Sequence, residues 1–369
     1  MLSILHLADL HLGANFSFLP PNKAQKAKQM QFDALKQAID YANSQSVNAV
    51  LIAGDLFDQP FPSADVVNRT FDILSHSNCC VLISPGNHDY ICAKSPYLTA
   101  KRPDCVYVFT SPTLTAFPLS DIGVVWGAAF CNQNAEISLN ANLDQNKYNI
   151  LLLHSDLKTQ SGYNPLSASD FKASGFDYAA LGHNHTYSGM NKAGKTVYAC
   201  SGSPCTVGAD DTGKKGFLFG QIGNEIKFRF IPSNSLEFHK INIDFTSLMS
   251  DRMLQQVLTP MIPKNHKNIC ASLEFTGERC YNPNLTALES VLNQIFFNAV
   301  IVDNTSERKS IWRYSNDNDL RGNVSKKYHE LLNNAKNEDE KNTIMLSLRY
   351  ALAALNGESL PSFDNIDDK

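Results

Sequence analysis

The sequence predicts an α/β protein whose core is a layered β-sandwich with flanking helices. Through about residue 232, short apolar runs typical of buried strands alternate with stretches of helical periodicity, which favours helices covering a sheet core. Polar residues of the kinds that bind metals come directly after several of these runs. Beyond residue 232 the pattern predicts a small α+β second domain and then C-terminal helices.

Each element of the first part follows from a local pattern. The predicted strands cover residues 3–8, 49–53, 81–84, 124–127, 150–153, 178–181 and 196–199, followed by a hairpin over residues 216–231 that turns at Gly223 and Asn224. Residues 23–44 carry apolar positions at helical spacing, which predicts a long helix. Ser63, after Pro62, is predicted to be the N-cap of the next helix.

The pattern changes at residues 232–235, a polar Pro- and Ser-containing segment that predicts a linker. Strands are predicted over residues 237–244 and 269–275, and helices over residues 248–258, 285–297 and 319–355. The acidic tail of Asp364, Asp367 and Asp368 is predicted to fray. We therefore predict domains at residues 1–234, 235–305 and 306–369. The second would cap the first, and the third would dock on a partner or pack on its own core.

Composition excludes some classes of protein. The chain has 369 residues, 43% hydrophobic and 18% charged, with a net charge of -4, so no overall basic field attracts nucleic acid. The nine cysteines form no C-x-x-C or zinc-finger spacing, which indicates a reducing compartment. No signal-peptide pattern and no apolar stretch long enough to span a bilayer is present. We expect a cytoplasmic protein with no membrane partner.

The candidate metal ligands lie just beyond the carboxyl ends of predicted strands, the edge where α/β sheets hold ligands. They are Asp9, His11, Asp55, Asn87, His154, His183 and His185. Glycines at positions 54, 86 and 182 permit sharp turns at these ends. Because the set offers nitrogen and oxygen but no thiolate, manganese, magnesium, iron and zinc all fit it.

These residues are sufficient for two divalent metal ions. One ion would take Asp9, His11, Asp55 and His185, and the other would take Asp55, Asn87, His154 and His183. Asp55 would bridge, since a carboxylate has two oxygens. Paired cations of this kind attack phosphate esters. His88 is left over as the catalytic residue that donates a proton to the leaving oxygen, and Asp58 and Asp89 would orient the histidines.

Other features have plainer interpretations. His6, His76, His239, His266 and His329 lack such a context and are predicted to be solvated or hydrogen-bonded histidines. The turn at residues 202–204 is predicted to be structural, although it could line the site. The aromatic loop at residues 16–21 is predicted either to form a wall of the substrate site or to pack on the surface.

The motifs D-L-H-L-G at residues 9–13, G-D-L-F-D at 54–58, G-N-H-D at 86–89 and G-H-N-H at 182–185, with His154, resemble the calcineurin-like metallophosphoesterase superfamily. The first two forms resemble its DNA-repair nuclease branch, that of the SbcD subunit and its YhaO-like bacterial relatives. The resemblance covers residues 1–232, while the remainder is similar in order and size of elements.

The resemblance implies manganese-dependent cleavage of DNA phosphodiesters, often from duplex ends, by a homodimer with an SbcC-like ATPase partner. The resemblance implies the same seven metal ligands and the same catalytic role for His88 as the residue pattern. It also implies a DNA-binding-like second domain. The net charge of -4 argues against tight binding of DNA by this chain alone. One alternative is a phosphodiesterase or phosphatase for a small ester such as a cyclic nucleotide. Another is a non-catalytic scaffold, against which the complete ligand set argues.

Overall fold

The computed structural model of the chain describes residues 1–157, 163–279, 281–307 and 312–357, so the predicted acidic tail lies outside the described residues. The chain forms two compact units. The first contains Met1–Ile243, Leu254–Glu274 and Pro283–Asp303, and the second contains Asp244–Met253, Phe275–Asn282 and the described residues from Asn304 onward. The domain boundaries inferred from sequence patterns at residues 234 and 305 stay predictions.

The strands are numbered in chain order. They are β1 (Leu2–Leu7), β2 (Ala49–Ile52), β3 (Cys80–Ile83), β4 (Val106–Val108), β5 (Thr115–Ser120), β6 (Gly123–Gly127), β7 (Tyr148–His154), β8 (Tyr178–Gly182), β9 (Asn191–Ala193), β10 (Thr196–Cys200), β11 (Gly216–Ile222), β12 (Ile226–Pro232), β13 (Glu237–Asp244), β14 (Ile269–Thr276), β15 (Glu278–Arg279), β16 (Asn298–Asp303) and β17 (Ser306–Glu307).

The helices follow the same convention. They are α1 (Pro21–Ser44), α2 (Ala64–Ser75), α3 (Pro96–Thr99), α4 (Ala168–Ser174), α5 (Asp251–Leu258), α6 (Leu285–Ile295), α7 (Leu320–Asn333) and α8 (Glu338–Asn356). Short 3₁₀ turns occur at Thr259–Met261 and His266–Asn268. None of the helices in the described ranges is both long enough and apolar enough to cross a bilayer.

Two six-stranded sheets form the core of the first unit. One has the order β12-β11-β1-β2-β3-β4, with β1 to β4 parallel, β11 antiparallel to β1 and β12 antiparallel to β11. The other has the order β5-β6-β7-β8-β10-β9, with antiparallel edge strands β5 and β9 around a parallel centre. A further sheet has the order β13-β14-β16, and β15 pairs with β17.

Side-chain alternation makes this arrangement a layered sandwich. Ile4 of β1 lies in a buried cluster with Ile150 and Leu152 of β7, which fills the space between the two sheets. Its neighbour Leu5 lies instead in a cluster with Leu35 of α1, on the opposite face of the same sheet. The predicted α/β sandwich with flanking helices is therefore confirmed.

Capping determines where several helices begin and end. The predicted N-cap is confirmed, since the Ser63 hydroxyl accepts a hydrogen bond from the Val66 amide at 3.4 Å. The predicted helix over residues 319–355 is two helices, because the Asn337 side chain caps a new one by accepting from the Glu340 amide at 2.8 Å. Within the second unit, α7 and α8 pack against each other.

Strand direction places the functional loops. Leu7, Ile52 and Ile83 lie in register at the carboxyl ends of three neighbouring parallel strands. In the second sheet, His154 at the end of β7 lies in register with Gly182 at the end of β8. The loops that follow β1, β2, β3 and β8, together with the last residue of β7, carry all of the predicted metal ligands.

Candidate metal centre

The loops after β1, β2 and β8 have unusual backbone conformations. Asp9, His11, Asp55 and His183 have φ values of 55°, 47°, 49° and 83°, in the left-handed region that side chains other than glycine rarely adopt. The Asp9 amide donates to the Gly54 carbonyl at 3.0 Å, and the His11 amide donates to the Asp55 carbonyl at 2.9 Å, so the two loops hold each other. Strain of this kind concentrates where structure serves a site.

Two glycines leave room for the centre itself. A Cβ atom on Gly54, whose φ is 88°, would lie 2.3 Å from the Nδ1 atom of His154. A Cβ atom on Gly86 would lie 2.3 Å from an Asp55 carboxylate oxygen, although the φ of Gly86 is not positive. Gly54 thus serves both the predicted turn and the packing, whereas Gly86 is required for close approach and not for backbone conformation.

Asn87, His154 and His183 form one group of donors, which we call the His154 group. His154 is fully buried, and its Nδ1 lies 3.0 Å from the Ala53 carbonyl. Since a carbonyl only accepts, Nδ1 carries the proton and donates. Nε2 is therefore the ring atom left for a metal ion, and it faces the Asn87 Oδ1 at 2.8 Å and the His183 Nδ1 at 3.3 Å.

Asp9, His11 and His185 form the second group, the His11 group, whose ligand atoms all lie within 4.8 Å of one another. The Nε2 atoms of His11 and His185 are 3.1 Å apart. One Asp9 oxygen accepts from the His183 amide at 3.0 Å. The other, Oδ2, is buried and has no hydrogen-bond partner among the described residues. A buried carboxylate oxygen without a partner is costly, and a cation would satisfy it.

Asp55 lies between the groups. Its Oδ2 is 3.3 Å from the Nε2 of His154 and 3.7 Å from the Nε2 of His11. Its Oδ1 accepts from the His88 amide at 2.9 Å. The sequence-based expectation gave one oxygen to each cation. In the structure a single oxygen faces both groups, because the backbone of His88 occupies the other.

The electrostatics of the centre favour positive charge between the groups. Burial raises the pKa of Asp55, but the charges of His154, His11 and His88 outweigh burial and hold it far below its usual value. Burial lowers the pKa of His154, but Asp55 and then Asp9 raise it to about 9. Burial and the neighbouring His154 lower the pKa of His183. Protons and metal ions therefore compete for these nitrogens, and the donor set fits two divalent cations.

His88 lies beside both groups and is exposed. Its Nδ1 lies 2.9 Å from the Asp58 carbonyl, and its ring meets the His11 ring edge-on at 4.6 Å between centroids. The Asp58 carboxylate lies 3.3 Å from the Nδ1 of His11. Asp58 therefore orients two histidines, one through its carbonyl and one through its side chain.

Asp89 does not contact a histidine in the way that the sequence suggested. Its buried carboxylate accepts hydrogen bonds from the amides of Gly86 at 2.7 Å and Leu56 at 2.8 Å, and from the Tyr97 hydroxyl at 2.5 Å. Its position between two loops explains the difference, since backbone amides surround it. Asp89 fixes the loops that carry Asp55 and Asn87.

Sequence reasoning missed further residues of the centre. Asp156 lies 3.9 Å from the Nε2 of His183, and the Tyr163 ring lies 5.0 Å from the His183 ring. Asp211 lies 3.4 Å from the Nδ1 of His185. The position of Asp156 two residues after His154 was a usable signal. The position of Asp211, in a loop far from any motif, offered none.

His6, the aromatic loop and the turn at residues 202–204 have structural roles. His6 is buried and hydrogen-bonded, 2.9 Å from the Tyr178 hydroxyl and 3.0 Å from the Leu181 carbonyl. Phe16 in the aromatic loop lies in a buried cluster with Phe238, so that loop packs into the protein. The Ser203 amide donates to the His185 carbonyl at 2.9 Å, which places the turn directly behind a predicted ligand.

Comparison with known proteins supplies the family. Residues 2–187 match the calcineurin-like phosphoesterase family, a span that contains every predicted ligand. The chain is 27% identical over 297 residues to the uncharacterized metallophosphoesterase YhaO of Bacillus subtilis, covering 75% of this chain and 72% of YhaO. It is 28% identical over 263 residues to the DNA double-strand break repair protein Mre11 of Sulfurisphaera tokodaii, covering 65% of this chain and 62% of that protein.

A shorter match reaches the SbcD component of the nuclease SbcCD of Escherichia coli K12, with 33% identity over 91 residues, 24% of this chain and 21% of SbcD. The predicted resemblance to the DNA-repair nuclease branch is confirmed by these relatives. The chain belongs to the calcineurin-like phosphoesterase family and is a metal-dependent phosphoesterase.

Proposed function

We propose that this chain is a two-metal nuclease that hydrolyses DNA phosphodiester bonds as the nuclease subunit of an SbcCD-like repair complex. One observation carries the proposal: two groups of nitrogen and oxygen donors face the same oxygen of Asp55, beside the exposed His88. The relatives support DNA as the substrate, since they include a double-strand break repair protein and a nuclease subunit.

The proposed ligands are those of the His154 group and the His11 group, with Asp55 between them. When bound, two cations supply the Lewis acidity that activates water and neutralises charge on phosphoryl oxygens. Manganese is proposed, and magnesium, iron and zinc are the competing ions for this set of donors. The buried Asp9 oxygen without a hydrogen-bond partner supports a cation at the His11 group.

His88 is the proposed proton donor. Its Nδ1–H donates to the Asp58 carbonyl at 2.9 Å, so the protonated ring presents its second N–H at Nε2. Its amide is held by the Asp55 carboxylate at 2.9 Å, which ties its position to the centre. Donation from Nε2 to the leaving oxygen of the cleaved ester would accelerate bond breaking.

The partners are proposals of the same kind. With a net charge of -4, the chain needs a local patch or a partner to hold a DNA backbone. We propose a homodimer with an SbcC-like ATPase, in which residues 235–305 cap the site and residues 306–369 dock on the partner.

The first experiment incubates the protein with Mn²⁺ and an end-labelled linear DNA duplex, alone and with its ATPase partner. Asp55→Asn replaces the central carboxylate and is expected to abolish cleavage. Asp40→Asn, which breaks an exposed ion pair with Lys36 on α1, is the control and is expected to cleave normally. Faster turnover of a cyclic nucleotide than of DNA would contradict the nuclease assignment. Intact DNA under both conditions would contradict it as well.

A further inference from the structure

A buried ion pair lies behind His185. Lys215 is fully buried and Asp211 is 8% exposed, although lysine is almost never fully buried unless it is paired. The Lys215 ammonium donates to the Asp211 Oδ1, to the Ser203 hydroxyl at 3.0 Å and to the His185 carbonyl at 3.4 Å. All three donor positions of the ammonium are thus directed at acceptors around one predicted metal ligand.

The two oxygens of Asp211 have different partners. While Oδ1 accepts from Lys215, Oδ2 lies 3.4 Å from the Nδ1 of His185 and accepts from the Val207 amide at 3.2 Å. The Thr206 hydroxyl donates to the Asp211 carbonyl at 2.7 Å, so the backbone of Asp211 is fixed too. The other ring nitrogen of His185 faces His11 at 3.1 Å, on the side of the metal centre.

Stability is a weak explanation for such a pair. Removing two charges from water costs free energy that their attraction only partly returns, and apolar residues of similar size are often as stable. A carboxylate behind an imidazole has a further effect, since it fixes which nitrogen carries the proton and makes the other a better metal ligand.

We propose that Asp211 and Lys215 form a positioning pair for His185, in which Lys215 fixes the Asp211 carboxylate and Asp211 holds the His185 Nδ1–H so that Nε2 is presented to the metal. This inference rests on the proposed role of His185 as a ligand of the His11 group. Lys215 determines which oxygen of Asp211 faces His185. Because its ammonium only donates, it requires an acceptor at Oδ1 and leaves Oδ2 for the histidine.

Lys215 makes the effect of Asp211→Asn specific. Lys215 and the Val207 amide compete for the amide oxygen of the asparagine, and the charged donor forms the stronger hydrogen bond. The oxygen is therefore expected to face Lys215, so the amide NH₂ faces the Nδ1 of His185 and favours the tautomer whose proton is on Nε2. That tautomer cannot bind a metal through Nε2. Adding Lys215→Met removes the requirement, and the amide can turn its oxygen toward His185.

The test measures Mn²⁺ binding by calorimetry, without DNA. The parent is expected to bind two ions. Asp211→Asn is expected to weaken one of them by about 10- to 100-fold, the usual effect of losing a group behind a metal ligand, and to leave the other unchanged. Asp211→Asn with Lys215→Met is expected to recover most of the loss. Asp177→Asn, which breaks a surface ion pair with Lys195, is expected to bind as the parent does.

A second pair of variants remains informative if Asp211→Asn alone does not fold. Asp211→Asn/Lys215→Met and Asp211→Leu/Lys215→Met both lack the ion pair and have side chains of similar shape, but only the first offers an acceptor to His185. Tighter Mn²⁺ binding by the asparagine variant is expected. Equal binding by the two, or equal weakening of both ions, would overturn the positioning role. If the parent itself binds no Mn²⁺, the proposed metal centre fails along with it.

Discussion

His154 and the two histidines of the His11 group are held by different kinds of group. In the His154 group, the fully buried His154 is oriented by a backbone carbonyl, that of Ala53, at 3.0 Å. In the His11 group, both histidines are oriented by carboxylates, His11 by Asp58 at 3.3 Å and His185 by Asp211 at 3.4 Å. The side chain of His185 is also 30% exposed.

This difference predicts that the two metal sites differ in how strongly side-chain substitutions weaken metal binding. A carbonyl at a strand end is part of the sheet, so it does not titrate and no side-chain substitution removes it. A carboxylate strengthens the imidazole as a ligand but can be replaced by mutation. We therefore expect metal binding at His154 to respond to backbone changes, and metal binding at the His11 group to respond to changes in the side chains behind its histidines.

The largest expected effect is on catalysis and not on metal binding. His88→Gln removes the proposed proton donor and is expected to lower kcat on DNA by about 10²- to 10⁴-fold, because the leaving oxygen departs without a proton. Binding of both Mn²⁺ ions is expected to be unchanged. Measurement of kcat alongside a calorimetric Mn²⁺ titration checks both statements.

The leaving group provides the control for His88. Bis(p-nitrophenyl) phosphate releases a phenolate that needs no proton, so His88→Gln is expected to retain most of its activity on that ester. His11, Asp58 and His88 also have ligand atoms within 4.8 Å of one another. Loss of a metal ion from His88→Gln would therefore make His88 a ligand and contradict its role as an acid.

A backbone change tests the His154 group next. In Gly54→Ala the new Cβ would lie 2.3 Å from the His154 Nδ1, displacing the ring from the Ala53 carbonyl. We expect one Mn²⁺ ion to bind about 10- to 100-fold more weakly. Gly189→Ala is the matched control, since its φ of 74° imposes a similar left-handed strain of about 1–2 kcal/mol but nothing lies within 4 Å of its Cβ. Equal metal affinity in the two variants would contradict a backbone-held group.

The difference between residues at strand ends and residues in distant loops explains which site residues the sequence could predict. Ligands such as Asp9, Asp55 and His154 could be predicted because each lies at or just beyond the end of an apolar strand, and parallel strands end at one edge. Asp211 could not be predicted, because its contact with His185 depends on a loop whose path only tertiary packing determines. β4 escaped prediction because three residues are too few to show a period, and β5 because Pro118 interrupts its pattern.

The smallest expected effect concerns His6, a buried histidine that contacts a hydroxyl and a carbonyl and provides a contrast with the histidines of the metal centre. His6 contacts the Tyr178 hydroxyl and the Leu181 carbonyl. Burial lowers the pKa of His6 to about 3, although the hydrogen bond to the Leu181 carbonyl opposes this shift. Carboxylates instead raise the pKa of His154 to about 9. Below about pH 6.5 the unfolded chain binds a proton at His6 and the folded chain does not, so the stability conferred by His6 is lost as pH falls toward 3.

His6→Gln is therefore expected to reduce the acid dependence of the free energy of unfolding by up to about 1.4 kcal/mol per pH unit. Urea denaturation between pH 5 and 7, with EDTA present, measures this slope. The exposed His76→Gln should keep the parent slope, and identical slopes for all three proteins would mean that His6 is charged in the folded state.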